Sequence, residues 1–95
     1  MELRFEWEEP KNKLNRKKHG IWFEEAQSVF DDPLGRVFYD QDHSDDESRF
    51  VMIGMNAMKR LLVVVHCYKK KDSVIRIISA RKATKQETKF YEEGI

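Results

Sequence analysis

Residues 60–83 read RLLVVVHCYKKKDSVIRIISARKA, and the fold turns on how this stretch is read. Two apolar runs, residues 61–68 and 74–80, flank a polar break at 69–73. Val, Ile, Tyr and Cys dominate the runs, and such side chains suit a pleated surface. Each run is short for a helix and lacks a helical stripe. The pattern predicts an antiparallel hairpin buried on both faces, at the centre of a sheet. Set into it are His66, Arg76, Ser79 and Arg81. Burying a charge without a partner is expensive. These residues are therefore either paired or lining a site.

Working outward, Leu3, Phe5 and Trp7 alternate with polar residues and predict a short strand. Glu8, Glu9 and Pro10 start a helix that runs to about His19 and stops at Gly20. Its apolar content is essentially Leu14. Lys17, Lys18 and His19 crowd the last turn, where the helix dipole favours cations by ~0.3–1 kcal/mol each. Phe23, Ala26, Val29 and Phe30 predict a second helix over 23–31, closed by Pro33. Trp22 occupies its N-cap, an unusual residue there. It either staples the helix to the core or faces a partner. Strands follow at 36–40 and 49–56, separated by a polar, acidic loop at 41–48. After the hairpin, Thr84 and Glu87 form a capping box for a last helix whose apolar edge is Phe90 and Tyr91.

The order is strand, helix, helix, four strands, helix. It predicts an α+β fold: a mostly antiparallel sheet of about five strands, two N-terminal helices and one C-terminal helix. Strand alternation puts Ile75, Ile77, Ser79 and Arg81 on one face of the last strand. Arg76, Ile78, Ala80 and Lys82 take the other. Unless a bulge intervenes, Arg76 and Arg81 point to opposite sides.

With 95 residues, one domain, 1–95, is expected. The net charge of +1 conceals a bipolar distribution. Residues 11–19 hold five Lys/Arg and no carboxylate, and 31–48 hold seven carboxylates against Arg36 alone. Residues 69–89 hold eight Lys/Arg against Asp72 and Glu87. Basic segments of this kind hold phosphates or form a solvated surface. Cys67 is the single cysteine, which excludes an intrachain disulfide and fits a reducing, cytoplasmic compartment. No apolar run is long enough for a membrane span, and the N-terminus lacks a secretory core.

Several chemistries are excluded. A calcium loop starting at Asp40 needs Gly and Glu where Asp45 and Val51 stand. His19, His43 and His66 have no metal-ligand spacing. Neither a phosphate-binding glycine loop nor a Gly-x-Ser-x-Gly element is present. A set of cations and imidazoles on a sheet remains. It is read either as a structural ion-pair network or as an anion site.

The blocks WEEPKNKLNRKKHGIWFEEAQSVFDDP, DHSDDESRFVMIG and LLVVVHCYKKKDSVIRIISARKATKQE, with Tyr91, resemble the BrnT family. These are ribonuclease toxins of BrnT–BrnA toxin–antitoxin pairs. The resemblance runs from Trp7 to Tyr91. Its most specific pieces are Lys18-His19-Gly20 followed by Phe23-Glu24-Glu25-Ala26, and Arg76 to Arg81. It departs from the family pattern at Glu8 and Trp22. It implies a RelE-like fold with a curved sheet, and RNA cleavage that blocks translation. It also implies a BrnA-like antitoxin partner in a heterotetramer, with operator DNA reached only through that antitoxin.

Metal-free RNA cleavage uses the 2′-OH as nucleophile and needs a base, an acid and charge stabilisation. On the resemblance, Arg81 and Arg76 rank first as clamps on phosphate or transition state. Lys18 and His19 follow, with His19 as base or acid. Glu47 is a base or an orienter of Arg49. Lys17, Lys82 and Lys85 are expected backbone-phosphate contacts. His66 reads better as a satisfied core histidine, and Ser79 and Tyr91 as structural. No cofactor or metal is expected. The competing class is a non-catalytic RNA- or partner-binding module. A DNA-binding regulator ranks last, since no recognition-helix pattern is present.

Overall fold

The hairpin forms where the apolar runs place it. In the computed structural model, which describes residues 3–43 and 47–94, it joins β4 (Leu61–Lys69) to β5 (Val74–Lys82). The strands β1 (Arg4–Glu6), β2 (Arg36–Tyr39) and β3 (Phe50–Met55) complete one sheet in the order β1-β5-β4-β3-β2. Three of its pairings are antiparallel and β1 runs parallel to β5, so the sheet is mixed. Residues 44–46 of the expected acidic loop lie outside the described residues.

One face of the sheet carries the core. Leu62, Val64 and His66 of β4 share it with Met52 of β3 and with Ile75, Ile77 and Ala80 of β5. Over them pack Ile21, Phe23, Ala26 and Val29. Full burial of a side chain such as Phe23 or Ile21 contributes about 2 kcal/mol. The predicted second helix is α-helical only at α2 (Phe23–Ala26) and tightens to 3₁₀ geometry over Gln27–Asp31. Gly54 lets that segment approach: a Cβ there would sit 3.1 Å from the Val29 carbonyl oxygen.

The first helix forms where expected, as α1 (Glu9–His19), but it packs through asparagines. Leu14 is 65% exposed, and the buried residues are Asn12 and Asn15. The physical reason is what α1 lies against. β1 covers only residues 74–76 of β5, so the backbone beyond is an unpaired edge. Asn15 fills the gap as a substitute strand. Its Nδ2 donates to the Ala80 carbonyl at 2.9 Å, and its Oδ1 accepts the Ala80 N–H at 3.1 Å. The same amide donates to the Ile21 carbonyl at 2.9 Å. Asn12 solves the Trp22 problem. Its Oδ1 accepts the Phe23 N–H at 2.7 Å and its amide donates to Glu24 at 2.8 Å. Helix α2 is thus capped from a neighbouring helix, and Trp22 stays 42% exposed beneath the Arg16 guanidinium. Gly20 closes α1 at φ +76°, as expected of a left-handed cap.

On the opposite face packs α3 (Lys85–Glu93). The Thr84–Glu87 capping box is present. Phe90 packs on Phe38 at 5.3 Å between ring centroids, and the Tyr91 hydroxyl donates to Asp32 at 2.6 Å. That carboxylate also accepts the Met55 N–H at 2.7 Å. Burial opposes ionisation of Asp32, but the hydrogen bonds from Met55, Tyr91 and Leu34 together lower its pKa. The same bond, aided by burial, pushes Tyr91 up to about 12.

Candidate functional site

A bulge in β5 places the two arginines. Val65 pairs with Ser79, but His66 pairs with Ile77, so Ile78 is an extra residue. The alternation resets there. Ala80 joins Ile75 and Ile77 on the core face, while Arg81 opposes Val63 and Arg76 opposes Cys67. Val63 and Cys67 lie on one side of β4, so Arg76, Ser79 and Arg81 share the outer face. Unbroken alternation would have separated the arginines. Bulges re-aim side chains in this way and occur beside functional sites.

Each arginine already has a carboxylate. Arg76 Nε donates to Glu6 at 2.7 Å, with Glu8 at 3.9 Å from its guanidinium. Arg81 makes a bidentate pair with Glu87, at 2.8 and 2.9 Å. Their partners raise both guanidinium pKa values, and Arg81 holds the Glu87 carboxyl down to about 2. The pairs pull in different directions, Arg76 toward β1 and Arg81 toward α3. Their cross-strand partners, Val63 and Cys67, lie four residue steps apart on β4, roughly 13 Å. As held, the two address separate points along a strand rather than one atom.

Glu47 and Arg49 gather at the Arg76 end. Lys69 Nζ donates to Glu47 Oε2 at 3.0 Å, and Arg49 Nε lies 4.0 Å from the other carboxylate oxygen. The bond from Lys69 holds the Glu47 carboxyl below its usual range. Beside them, an open cleft of about 550 Å³ is lined by Glu47, Phe50, Cys67, Tyr68 and Lys69. Burial and the nearby Glu47 raise the Cys67 thiol.

Lys18 and His19 sit elsewhere on the strip, at the β5 edge beyond β1. With Leu14, Asn15, Ile78 and Ser79 they line a shallow groove of about 230 Å³. Ser79 lies between Arg76 and Arg81, so the groove opens beside the arginine strip. Among the described residues, no carboxylate lies within ion-pair distance of Lys17, Lys18, His19, Lys82 or Lys85. Lys17, Lys82 and Lys85 are exposed at the ends of α1, β5 and the start of α3. Lys82 pairs with Leu62 and points to the helix side rather than the arginine side.

His66 is fully buried, its ring 3.3 Å from the Val64 carbonyl and 3.2 Å from the Tyr68 hydroxyl. Burial lowers its pKa to about 4. It is a neutral core imidazole, T-stacked on Phe30 at 4.8 Å. Among the described residues, no three His, Cys, Asp or Glu side chains converge as a metal site. Nor, among the described residues, is any helix long and apolar enough to cross a membrane.

Sequence reasoning missed Lys69 and Glu6. Lys69 was one of three consecutive lysines at the hairpin turn, with nothing to set it apart. Glu6 was one of several polar residues on a short strand. Only the parallel pairing of β1 on β5 puts it opposite Arg76.

Residues 7–87 match the family model described as ribonuclease toxin, BrnT, of type II toxin–antitoxin system. The crystal structure of the Brucella abortus ribonuclease toxin BrnT superposes with a TM-score of 0.68. It is 24% identical and covers 87% of this chain and 99% of its own, so the fold is shared. No curated protein matches.

Proposed function

This chain belongs to the BrnT family of ribonuclease toxins of type II toxin–antitoxin systems, and from that premise we propose that it cleaves RNA without a metal ion, blocks translation, and is neutralised by a BrnA-like antitoxin. The supporting observation is the Ile78 bulge, which sets Arg76, Ser79 and Arg81 on one open face with Lys18 and His19 at its margin. RNA brings its own nucleophile, the 2′-OH. The protein must position the linkage, stabilise charge on the phosphoryl oxygens and move protons.

Arg76 and Arg81 are the charge stabilisers. Their carboxylate partners hold the guanidiniums until a phosphate competes for them, and both pairs are partly exposed, which limits the cost of the exchange. Lys18 holds the backbone from the margin, and His19 beside it serves as base or acid. Glu47 orients Arg49 and Lys69. Its lowered pKa makes it a weaker base, which suits an orienter better than a general base. Lys17 and Lys85 extend the basic track along the phosphates, and Lys82, turned to the helix side, meets it only around the end of β5. The antitoxin assembles with the toxin as a heterotetramer and carries any contact with operator DNA; the compartment is the cytoplasm.

Incubation of the purified protein with end-labelled RNA in excess EDTA tests the reading. Fragments are the expected result. A shifted but intact RNA band would replace the nuclease with a binding module, and cleavage restored only by a divalent ion would overturn the metal-free chemistry.

A further inference from the structure

The two margins of the sheet are treated differently. At β5 the unpaired backbone is sealed by the Asn15 amide on Ala80. At β2 it is open. The Asp40 N–H donates to the Arg49 carbonyl at 2.8 Å, in register with the β2–β3 ladder. Hydrogen-bonded pairs alternate in an antiparallel ladder. Arg36, Phe38 and Asp40 therefore turn their backbone groups toward β3, and Val37 and Tyr39 turn theirs outward. Among the described residues nothing pairs with them.

The side chains there are apolar and exposed: Val37 47%, Phe38 38%, Tyr39 50%, with Leu34 at 69% just before. Soluble proteins blunt free edges with lysine, proline or a bulge. β2 has none of these, and its one cation is turned inward. The Arg36 guanidinium lies 3.9 Å over the Phe90 ring and donates to the Phe90 carbonyl. Of the described carboxylates near it in sequence, Asp31 and Asp42 are exposed, while Asp32 is held by Met55 and Tyr91 and Glu47 by Lys69.

We propose that β2 is the docking edge for an extended segment of a protein partner, which adds a sixth strand and brings Lys or Arg beside apolar residues. Main-chain bonds to Val37 and Tyr39 supply affinity, and the exposed Asp31 and Asp42 favour a basic strand. A second copy of this chain is disfavoured, because it would set two acidic edges against each other. That the partner is the antitoxin rests on the functional reading above. Three inter-strand steps, roughly 14 Å, separate this edge from β5. Docking here therefore anchors the partner beside the arginine face rather than on it.

Val37→Pro tests the edge, since it removes an outward N–H and leaves the β3 ladder intact. The readouts are affinity for a purified BrnA-like antitoxin and cleavage of labelled RNA by the free protein. Val37→Pro is expected to bind antitoxin at least about tenfold more weakly, a loss of about 1.4 kcal/mol, while matching wild-type cleavage. A variant that binds as tightly as wild type overturns the docking edge and leaves the ribonuclease reading standing. Weakened binding with neither protein cleaving RNA supports the edge and overturns the nuclease. Hydrogen exchange on the wild-type complex needs no variant. The Val37 and Tyr39 amides should slow by about tenfold or more on binding, with the Phe38 amide already slow in the free protein; unchanged rates at both sites overturn the proposal. A wild-type dimer in the absence of antitoxin, lost in Val37→Pro, would assign the edge to a second copy and overturn the choice of partner.

Discussion

Glu87 holds Arg81 through two parallel hydrogen bonds, of 2.8 and 2.9 Å, with the same carboxylate that accepts the Thr84 N–H at 2.8 Å. One side chain thus caps α3, ties the helix to β5 and neutralises a cation on the face read as the RNA surface.

Glutamine preserves the capping box, so Glu87→Gln isolates the charge. The pair is partly exposed, and solvent screening limits the loss to under about 1 kcal/mol. Glu87→Ala loses the cap as well and should cost about 1–2 kcal/mol. The folded pKa of about 2 lies below the ordinary 4.5. The stabilisation is therefore complete above pH 4.5 and fades as pH falls toward 2. Urea denaturation should show wild type and Glu87→Gln converging over that window; a constant gap would contradict the linkage.

Arg81→Ala should abolish toxicity in cells lacking antitoxin. Because it also unties α3, Glu87→Gln is its control, breaking the same pair while keeping the arginine free. The expected order is full or raised toxicity for Glu87→Gln and none for Arg81→Ala or Arg76→Ala, each verified as folded by circular dichroism. Equal loss in Glu87→Gln and Arg81→Ala would make the pair structural only.

Asn15→Ala strips partners from the Ala80 N–H and C=O and from the Ile21 carbonyl. An unsatisfied buried group costs about 1–3 kcal/mol, so a total loss near 3 kcal/mol is expected after partial rehydration. Chemical denaturation measures it. Leu14→Ala, on the same helix but exposed, should stay within about 0.5 kcal/mol.

His66 binds its proton less readily in the fold, at about 4, than in the open chain, at 6.5. The unfolded state takes up the proton first. Stability is complete above pH 6.5 and falls as pH drops toward 4. His66→Phe should flatten that part of the stability profile. NMR titration of the imidazole should detect no protonation at pH 6, and a His66 that is charged there would refute the core assignment.

Lys70, Lys71 and Asp72 at the hairpin tip have φ of 49°, 56° and 69°. Three successive non-glycine residues in this region carry strain of about 1 kcal/mol each. Lys71→Gly relieves one of them and is expected to raise stability by up to about 1 kcal/mol in thermal or urea unfolding. A net loss would mean that the Lys71 side chain contributes more than its backbone costs.

Local pattern carried the elements a long way. The Thr84–Glu87 box, the Gly20 cap, the β4–β5 hairpin and the alternation of Phe50, Met52 and Gly54 all depend on residues within a few positions of one another. Their spacing alone specifies geometry. The family was legible too, because its blocks keep their order along the chain. What packs the first helix was not legible, since an apolar stripe is the usual sign of packing and the buried Asn12 and Asn15 carry no periodic signal.

The sequence by itself determined an α+β chain with a central apolar hairpin, the polar residues inside it and the order of the elements, because hydrophobic period and caps are properties of neighbours. Only the tertiary structure decided that Arg76 and Arg81 share a face, that Asn15 seals one sheet edge while β2 remains open, and that Glu6 and Glu87 hold the arginines. A one-residue bulge inverts every side chain beyond it, and cross-chain pairings such as Asn15 with Ala80 join residues far apart in sequence. Neither leaves a periodic trace in the amino-acid order.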